Sequence, residues 1–163
     1  MRLACALLCV LVAGCGFQLR GTADVPFESL YVPQSAGGIG LELKRSIQAG
    51  TRAKVVDDPR QAAAILEFTE ETRLKEILSL TGQGRVREYL LRYRVGFRVH
   101  DGKGKDFVPA NTVMLLRDIS FNDADVLAKE SEEGLLYRDM QSDMVQQILR
   151  RLSAATKPVP RVQ

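Results

Sequence analysis

The sequence predicts an α/β (α+β) two-layer sandwich, with two helices packed on one face of a mostly antiparallel four-stranded sheet built from long strands. Three observations carry this expectation. From Arg85 to His100 the residues alternate strictly: Tyr89, Leu91, Tyr93, Val95, Phe97 and Val99 share one parity, and Glu88, Arg92, Arg94, Gly96 and Arg98 the other. That is the period of a half-buried antiparallel strand. Two apolar stripes at four-residue spacing, Ile39-Leu43-Ile47 and Leu136-Met140-Met144-Ile148, mark helices. Glycine-rich turns, Thr81-Gly82-Gln83-Gly84 and Asp101-Gly102-Lys103-Gly104, join the long strands.

Taken in order, Phe27 to Val32 reads as a short first strand. Gly37-Gly38 interrupts the chain, and the first helix runs from Ile39 to about Gly50. Lys54 to Asp57 is a short extended piece turned by Asp58-Pro59. Ala63 to Leu80 then places Leu66, Phe68, Leu74 and Leu78 on one parity, with Glu67, Thr69, Glu71, Arg73 and Lys75 on the other. A two-residue turn at Gly82-Gln83 would set Phe68 opposite Phe97, Leu74 opposite Leu91, Glu71 opposite Arg94 and Glu67 opposite Arg98. Phe107 to Phe121 forms the third long strand, with Pro109 as a bulge or edge feature. Asn122 or Asp123 caps a long helix to about Ser153, with Arg138, Asp139, Asp143, Arg150 and Arg151 facing away from the core. Lys157-Pro158-Val159-Pro160 cannot continue it.

Strands of about 16 residues reach roughly 50 Å at ~3.3 Å per residue, so the body is an elongated slab. Its third long strand is apolar on both parities: Val108, Ala110, Met114 and Leu116 on one, Phe107, Val113 and Leu115 on the other. With the first set against the helices, the second points outward as a partner surface. Arg92, Arg94 and Arg98 form a basic row for polar contacts, partly neutralised by Glu67 and Glu71.

The chain has 163 residues, 45% hydrophobic and 26% charged, with a net charge of +3. Its length suits one domain, and its charge is too nearly balanced for a dedicated nucleic-acid binder. No apolar run spans a bilayer as a helix. The single histidine, His100, removes multi-His metal sites. His100-Asp101 sits at a strand end without a nearby nucleophile, which disfavours a catalytic pair. Gly82-Gln83-Gly84 lacks the Gly-Lys-Ser/Thr of a phosphate loop.

Residues 1–14 read as a signal peptide: Met1-Arg2, an apolar run from Leu3 to Ala13, then Gly14. Val12-Ala13-Gly14-Cys15 resembles a bacterial lipobox, in which Cys15 is S-diacylated, freed by cleavage and N-acylated. Cys5 and Cys9 leave with the signal, so Cys15 has no disulfide partner within the chain. Two or three acyl chains make a durable anchor where one holds marginally. No other cofactor is expected. The domain layout is then a signal at 1–14, a lipidated leader at 15–26, one domain at 27–154 and a tail at 155–163.

The lipobox followed by Cys15-Gly16-Phe17-Gln18-Leu19-Arg20-Gly21 and Val25-Pro26 resembles the start of the LptE family of LPS-assembly lipoproteins. The resemblance resumes from Gly84 to Leu91, around Glu88-Tyr89, and again at Leu127-Ala128-Lys129-Glu130 with Met140 and Met144 beyond. It implies a non-enzymatic plug of the LptD β-barrel, lipid-anchored on the periplasmic side of the cell outer membrane, that helps assemble the barrel and deliver lipopolysaccharide. It also implies lipopolysaccharide binding through basic residues near the central hairpin and at the start of the last helix. Lys129 matches the second position. Gly82 aligns with the first, and Arg85 and Arg87 beside it supply the charge that lipid phosphates require. Against this, a lysine in a first helical turn is an ordinary solvated residue, poorly placed against the helix dipole. The rival readings are an adaptor lipoprotein of another transport or barrel-assembly complex, and a lipid-anchored enzyme using His100.

Overall fold

In the computed structural model the described residues are 25–35, 37–155 and the backbone of 159–160. The signal, the lipobox with Cys15, most of the leader and most of the tail lie outside them. The elements run β1 (Ser29–Tyr31), α1 (Ile39–Gly50), β2 (Lys54–Val56), β3 (Ala64–Leu80), β4 (Val86–His100), β5 (Lys105–Ser120), α2 (Val126–Ser153) and β6 (Val159–Pro160).

The sheet order is β2-β1-β3-β4-β5-β6. This corrects the expected four-stranded, mostly antiparallel sheet. β1 pairs in parallel with both β2 and β3, while β3, β4, β5 and the two-residue β6 are antiparallel. The β1–β2 pair follows from α1, a crossover that returns the chain beside β1 in the direction it left, and the short connection over residues 57–63 then brings β3 to the other side of β1.

Both helices cover one face. Ile39, Leu43 and Ile47 of α1 meet Met140, Met144, Val145, Ile148 and Leu152 of α2 over Leu91, Tyr93, Val95, Phe97 and Val99 of β4, all buried. Each large side chain so buried contributes about 1.5–3 kcal/mol. The alternation along β4 thus describes its core face correctly. Asn122 caps a single 3-10 turn, its side chain accepting from the Ala124 N–H at 3.2 Å, and α2 starts just beyond.

The β3–β4 hairpin departs from the expected register in one half. Glu67 lies opposite Arg98 and Phe68 opposite Phe97, as the sequence predicts. From Glu70 to Ile77 the pairing is shifted by one, as Glu70↔Gly96, Glu71↔Val95, Arg73↔Tyr93 and Leu74↔Arg92, and it is irregular again on either side of Ser79. Two local features cause this. The turn is not a two-residue type II′: Thr81 N–H donates to the Arg85 carbonyl at 2.7 Å, and the left-handed residue is Gly84, at φ 80°, giving a three-residue loop. A β-bulge at Thr69 then absorbs the difference. The bulge presses on β4, where a Cβ on Gly96 would stand 2.5 Å from Thr69 Oγ1.

The bulge exchanges the faces of β3. Leu66 is buried on the helix side, but Leu74 and Leu78 project from the opposite face, about half exposed. Glu71, Arg73 and Lys75 turn to the helix side instead, Arg73 and Lys75 at its exposed margin. Leu74 is therefore not opposite Leu91, and Glu71 is not opposite Arg94.

Candidate functional site

Three surfaces carry the polar chemistry. The first is the far end of the hairpin. The Phe121 N–H donates to the Arg87 carbonyl at 2.8 Å, tying the start of β4 to the end of β5. Lys129, in the first turn of α2, donates to Ser120 Oγ at 3.0 Å and to Glu132 Oε2 at 2.8 Å. Arg85, Arg87 and Lys129 therefore gather at one end of the slab, the two arginines exposed. Exposed Leu80, Val126 and Leu127 surround them, Leu127 at 80% exposure. Cations beside open apolar side chains suit an anionic amphiphile.

The second is the polar seam under the helices, made by the residues that the bulge turned inward. Tyr93 donates to Glu71 Oε1 at 2.8 Å, and Glu71 Oε2 accepts the Gly37 N–H at 3.2 Å. A Cβ on Gly37 would meet the Glu71 carboxylate at 1.9 Å, so any side chain there would push that carboxylate out of its present place. Arg73 stacks over the rings of Tyr93 and Tyr137 and donates to Gln141 Oε1 at 2.6 Å; Gln141 in turn bonds Glu42 of α1. Burial, reinforced by the Glu71 hydrogen bond, pushes the Tyr93 hydroxyl well above the ordinary tyrosine range. Lys75 bonds Glu133 at 2.6 Å above the Tyr89 ring.

The third is the open face of the sheet. Arg98 donates to Glu67 at 2.8 Å, Arg94 lies 3.4 Å from Glu70, and Arg92 lies 2.9 Å from Glu76. The arginine row is thus charge-paired as expected, with Glu70 in the place expected for Glu71. Among the described residues, Arg92 Nε is the buried side-chain atom left without a hydrogen-bond partner. Leu74, Leu78, Met114 and Leu116 stand exposed on the same face.

Phe107, Val113 and Leu115 were expected to point outward, and they do not. The β5 register sets Val113 against buried Val95 and Leu115 against buried Tyr93, on the helix side. Val113 is 2% exposed, Leu115 packs on the core, and Phe107 meets Phe27 edge to face at 5.6 Å. The outward apolar residues of β5 are Met114 and Leu116, opposite Arg94 and Arg92. Arg151 also departs from expectation, turning back to Asn111 Oδ1 on β5. The signal for the face exchange was Gly96, a glycine inside a strand where a bulge opposes it.

His100 is structural: Nδ1 accepts the Gly102 N–H at 3.0 Å, and Nε2 lies 3.5 Å from Glu67. Asp101 Oδ1 accepts the Lys103 and Lys105 N–H groups, and these bonds hold its carboxyl below the usual carboxylate range. Among the described residues, no group of three or more His, Cys, Asp or Glu could hold a metal, and no helix is long and apolar enough to cross a membrane.

The family model for LptE, described as lipopolysaccharide-assembly, matches residues 24–152. The chain belongs to the LptE family. Its role in lipopolysaccharide assembly is non-enzymatic, and the LptE family is associated with the outer membrane. LPS-assembly lipoprotein LptE of Pectobacterium atrosepticum is 30% identical over 92% of this chain and 83% of its own length. The protein of that name from Yersinia enterocolitica is 32% identical over 93% of this chain and 74% of its own. Among solved structures, lipoprotein B from Nitrosomonas europaea superposes with a TM-score of 0.74 at 45% identity, covering 85% of this chain and 91% of that one. A minor lipoprotein from Acinetobacter baumannii shares the fold, with a TM-score of 0.66 at 24% identity over 85% of this chain and 99% of that one.

Proposed function

We propose that this LptE-family chain is a lipoprotein of the outer membrane, processed after residue 14 and held on the periplasmic side by acylated Cys15. It seats as a plug in the lumen of an LptD-type β-barrel, helps that barrel assemble, and binds lipopolysaccharide during delivery to the cell surface. The observation that carries this reading is the open sheet face. A barrel lumen is polar, and a plug needs a wide surface that tolerates water yet buries area on contact. Arg92, Arg94 and Arg98 with their glutamates, interleaved with Leu74, Leu78, Met114 and Leu116, have that character. The basic end formed by Arg85, Arg87 and Lys129 fits the lipid A phosphates, with neighbouring apolar side chains for acyl contact.

Affinity purification of the chain from detergent-solubilised outer membrane tests the reading. A stoichiometric, heat-modifiable large β-barrel is the expected companion. Recovery of an inner-membrane ATPase complex in its place would support the adaptor alternative.

A further inference from the structure

We propose that Arg117 and Arg151 guard the open edge of β5 against pairing with a second copy of this chain. Among the described residues, β5 is the outer strand of the sheet over most of its length, since β6 covers it at Lys105 and Asp106 alone. The bond from the Phe121 N–H to the Arg87 carbonyl makes those residues a hydrogen-bonded pair. In the unbroken register from Glu88↔Ser120 to Phe97↔Asn111, such pairs recur at every second residue. Val113, Leu115, Arg117 and Ile119 therefore bond to β4. Thr112, Met114, Leu116 and Asp118 direct their N–H and C=O groups at the open edge.

A long edge of this kind is a template for another strand. The sequence of β5 makes a second copy the matching one. Antiparallel pairing about a two-fold axis at Met114 sets Met114 against itself and Thr112 against Leu116, so edge-facing groups meet edge-facing groups. The exposed Met114 and Leu116 side chains of both copies would then join on one face, while Asn111 would lie opposite Arg117 with no like charges opposed.

Two guanidiniums occupy the acceptors that this pairing needs on either side of Met114. Arg117, held at 2.9 Å by Asp143 of α2, donates to the Leu116 carbonyl at 2.9 Å. Arg151 of α2, bonded to Asn111 Oδ1, donates to the Thr112 carbonyl at 3.3 Å. Thr112 and Leu116 would exchange hydrogen bonds on either side of the central Met114 pair, and both of their carbonyls are already engaged. Nearer the start of the strand, Pro109 has no N–H, and the Asn111 side chain bonds its carbonyl at 2.9 Å.

Sedimentation velocity on the purified full-length chain in detergent, with amide exchange at Thr112, Met114 and Leu116, tests the proposal without any barrel partner. The wild type is expected to be monomeric, with those three amides exchanging fast. Arg117→Ala with Arg151→Ala is expected to self-associate at least about tenfold more tightly and to protect the three amides. Adding Met114→Lys, which opposes like charges at the two-fold, is expected to restore the monomer. A folded double variant that stays monomeric overturns the proposal. So does association that Met114→Lys fails to reverse, or that leaves the three amides unprotected. If the double variant unfolds, Arg117→Ala alone, which keeps the Arg151 contacts, is read by the same criteria.

Discussion

Gly96 lies directly against the bulge at Thr69, with only 2.5 Å between the threonine Oγ1 and the point where a Cβ would sit. The remaining neighbours of that point are milder, Glu70 Cβ at 3.3 Å and Glu70 N at 3.4 Å. The glycine is the counterpart of the bulge, and the bulge decides which side chains of β3 face the helices. Gly96→Ala should therefore destabilise the fold by about 1–3 kcal/mol, the range for overpacking a closed site. Thr69→Ala removes the nearest atom and should recover most of that loss. A double-mutant cycle in urea reads the coupling, and purely additive effects would show that the two residues do not act together.

The legibility of the fold follows the same line. β4 and both helices were readable because each keeps one unbroken period, from Tyr89 to Val99, from Ile39 to Ile47 and from Met140 to Ile148. β3 was not, because Leu66, Phe68, Leu74 and Leu78 share one parity across a bulge that exchanges faces at Thr69. Parity on β5 was ambiguous, with apolar residues on both sides, and β4 across the register decides it by placing Val113 on Val95. The parallel pairing of β1 and β2 depends on the α1 crossover, and three-residue strands carry too little pattern to announce it. Arg85, Arg87 and Lys129, which the family resemblance singled out, lie at one end of the slab, whereas the open apolar face was assigned to the wrong side of β5.

The seam under the helices carries a pH dependence. Burial and the Glu71 hydrogen bond raise the Tyr93 hydroxyl above the ordinary value near 10. A raised folded value means that the native state holds the proton more tightly than the unfolded chain. The contribution is complete below the unfolded value and is lost as pH rises from there toward the folded one. Thermal midpoints should fall above about pH 10 in the wild type, and less steeply in Tyr93→Phe. Equal slopes for the two proteins would remove Tyr93 from the account.

The basic end should respond to salt and to charge reversal. Replacing Arg85, Arg87 and Lys129 together by Glu should weaken binding to lipopolysaccharide by at least about tenfold and flatten its salt dependence, since the attraction is between partly exposed charges. The fold should survive, because the bonds of Lys129 to Ser120 and Glu132 are surface contacts, and such ion pairs contribute about 0–1 kcal/mol. If the chain seats in a barrel as proposed, copurification with that barrel should also survive. Binding to immobilised lipopolysaccharide at two salt concentrations checks the first expectation, and unchanged affinity in the triple variant would move the site elsewhere.

The last contrast separates the two faces of β5. Met114 and Val113 are neighbours in sequence, but Met114 is half exposed beside Arg94 and Val113 is closed over by the core. An aspartate at Val113 would bury a charge with no cation opposite it, since its β4 neighbour is Val95. A charge in such a place costs several kcal/mol, enough to unfold a domain of ordinary stability. An aspartate at Met114 or Leu74 meets water and nearby arginines instead, and it should leave the isolated domain folded. If the open face seats against a barrel wall, Leu74→Asp with Met114→Asp should reduce barrel recovery and sensitise cells to large antibiotics, while circular dichroism and thermal midpoint stay near wild type. Val113→Asp should fail already at the level of the isolated chain. Normal barrel recovery by a folded Leu74→Asp/Met114→Asp variant would exclude this face from the interface, whatever surface the barrel then proves to hold.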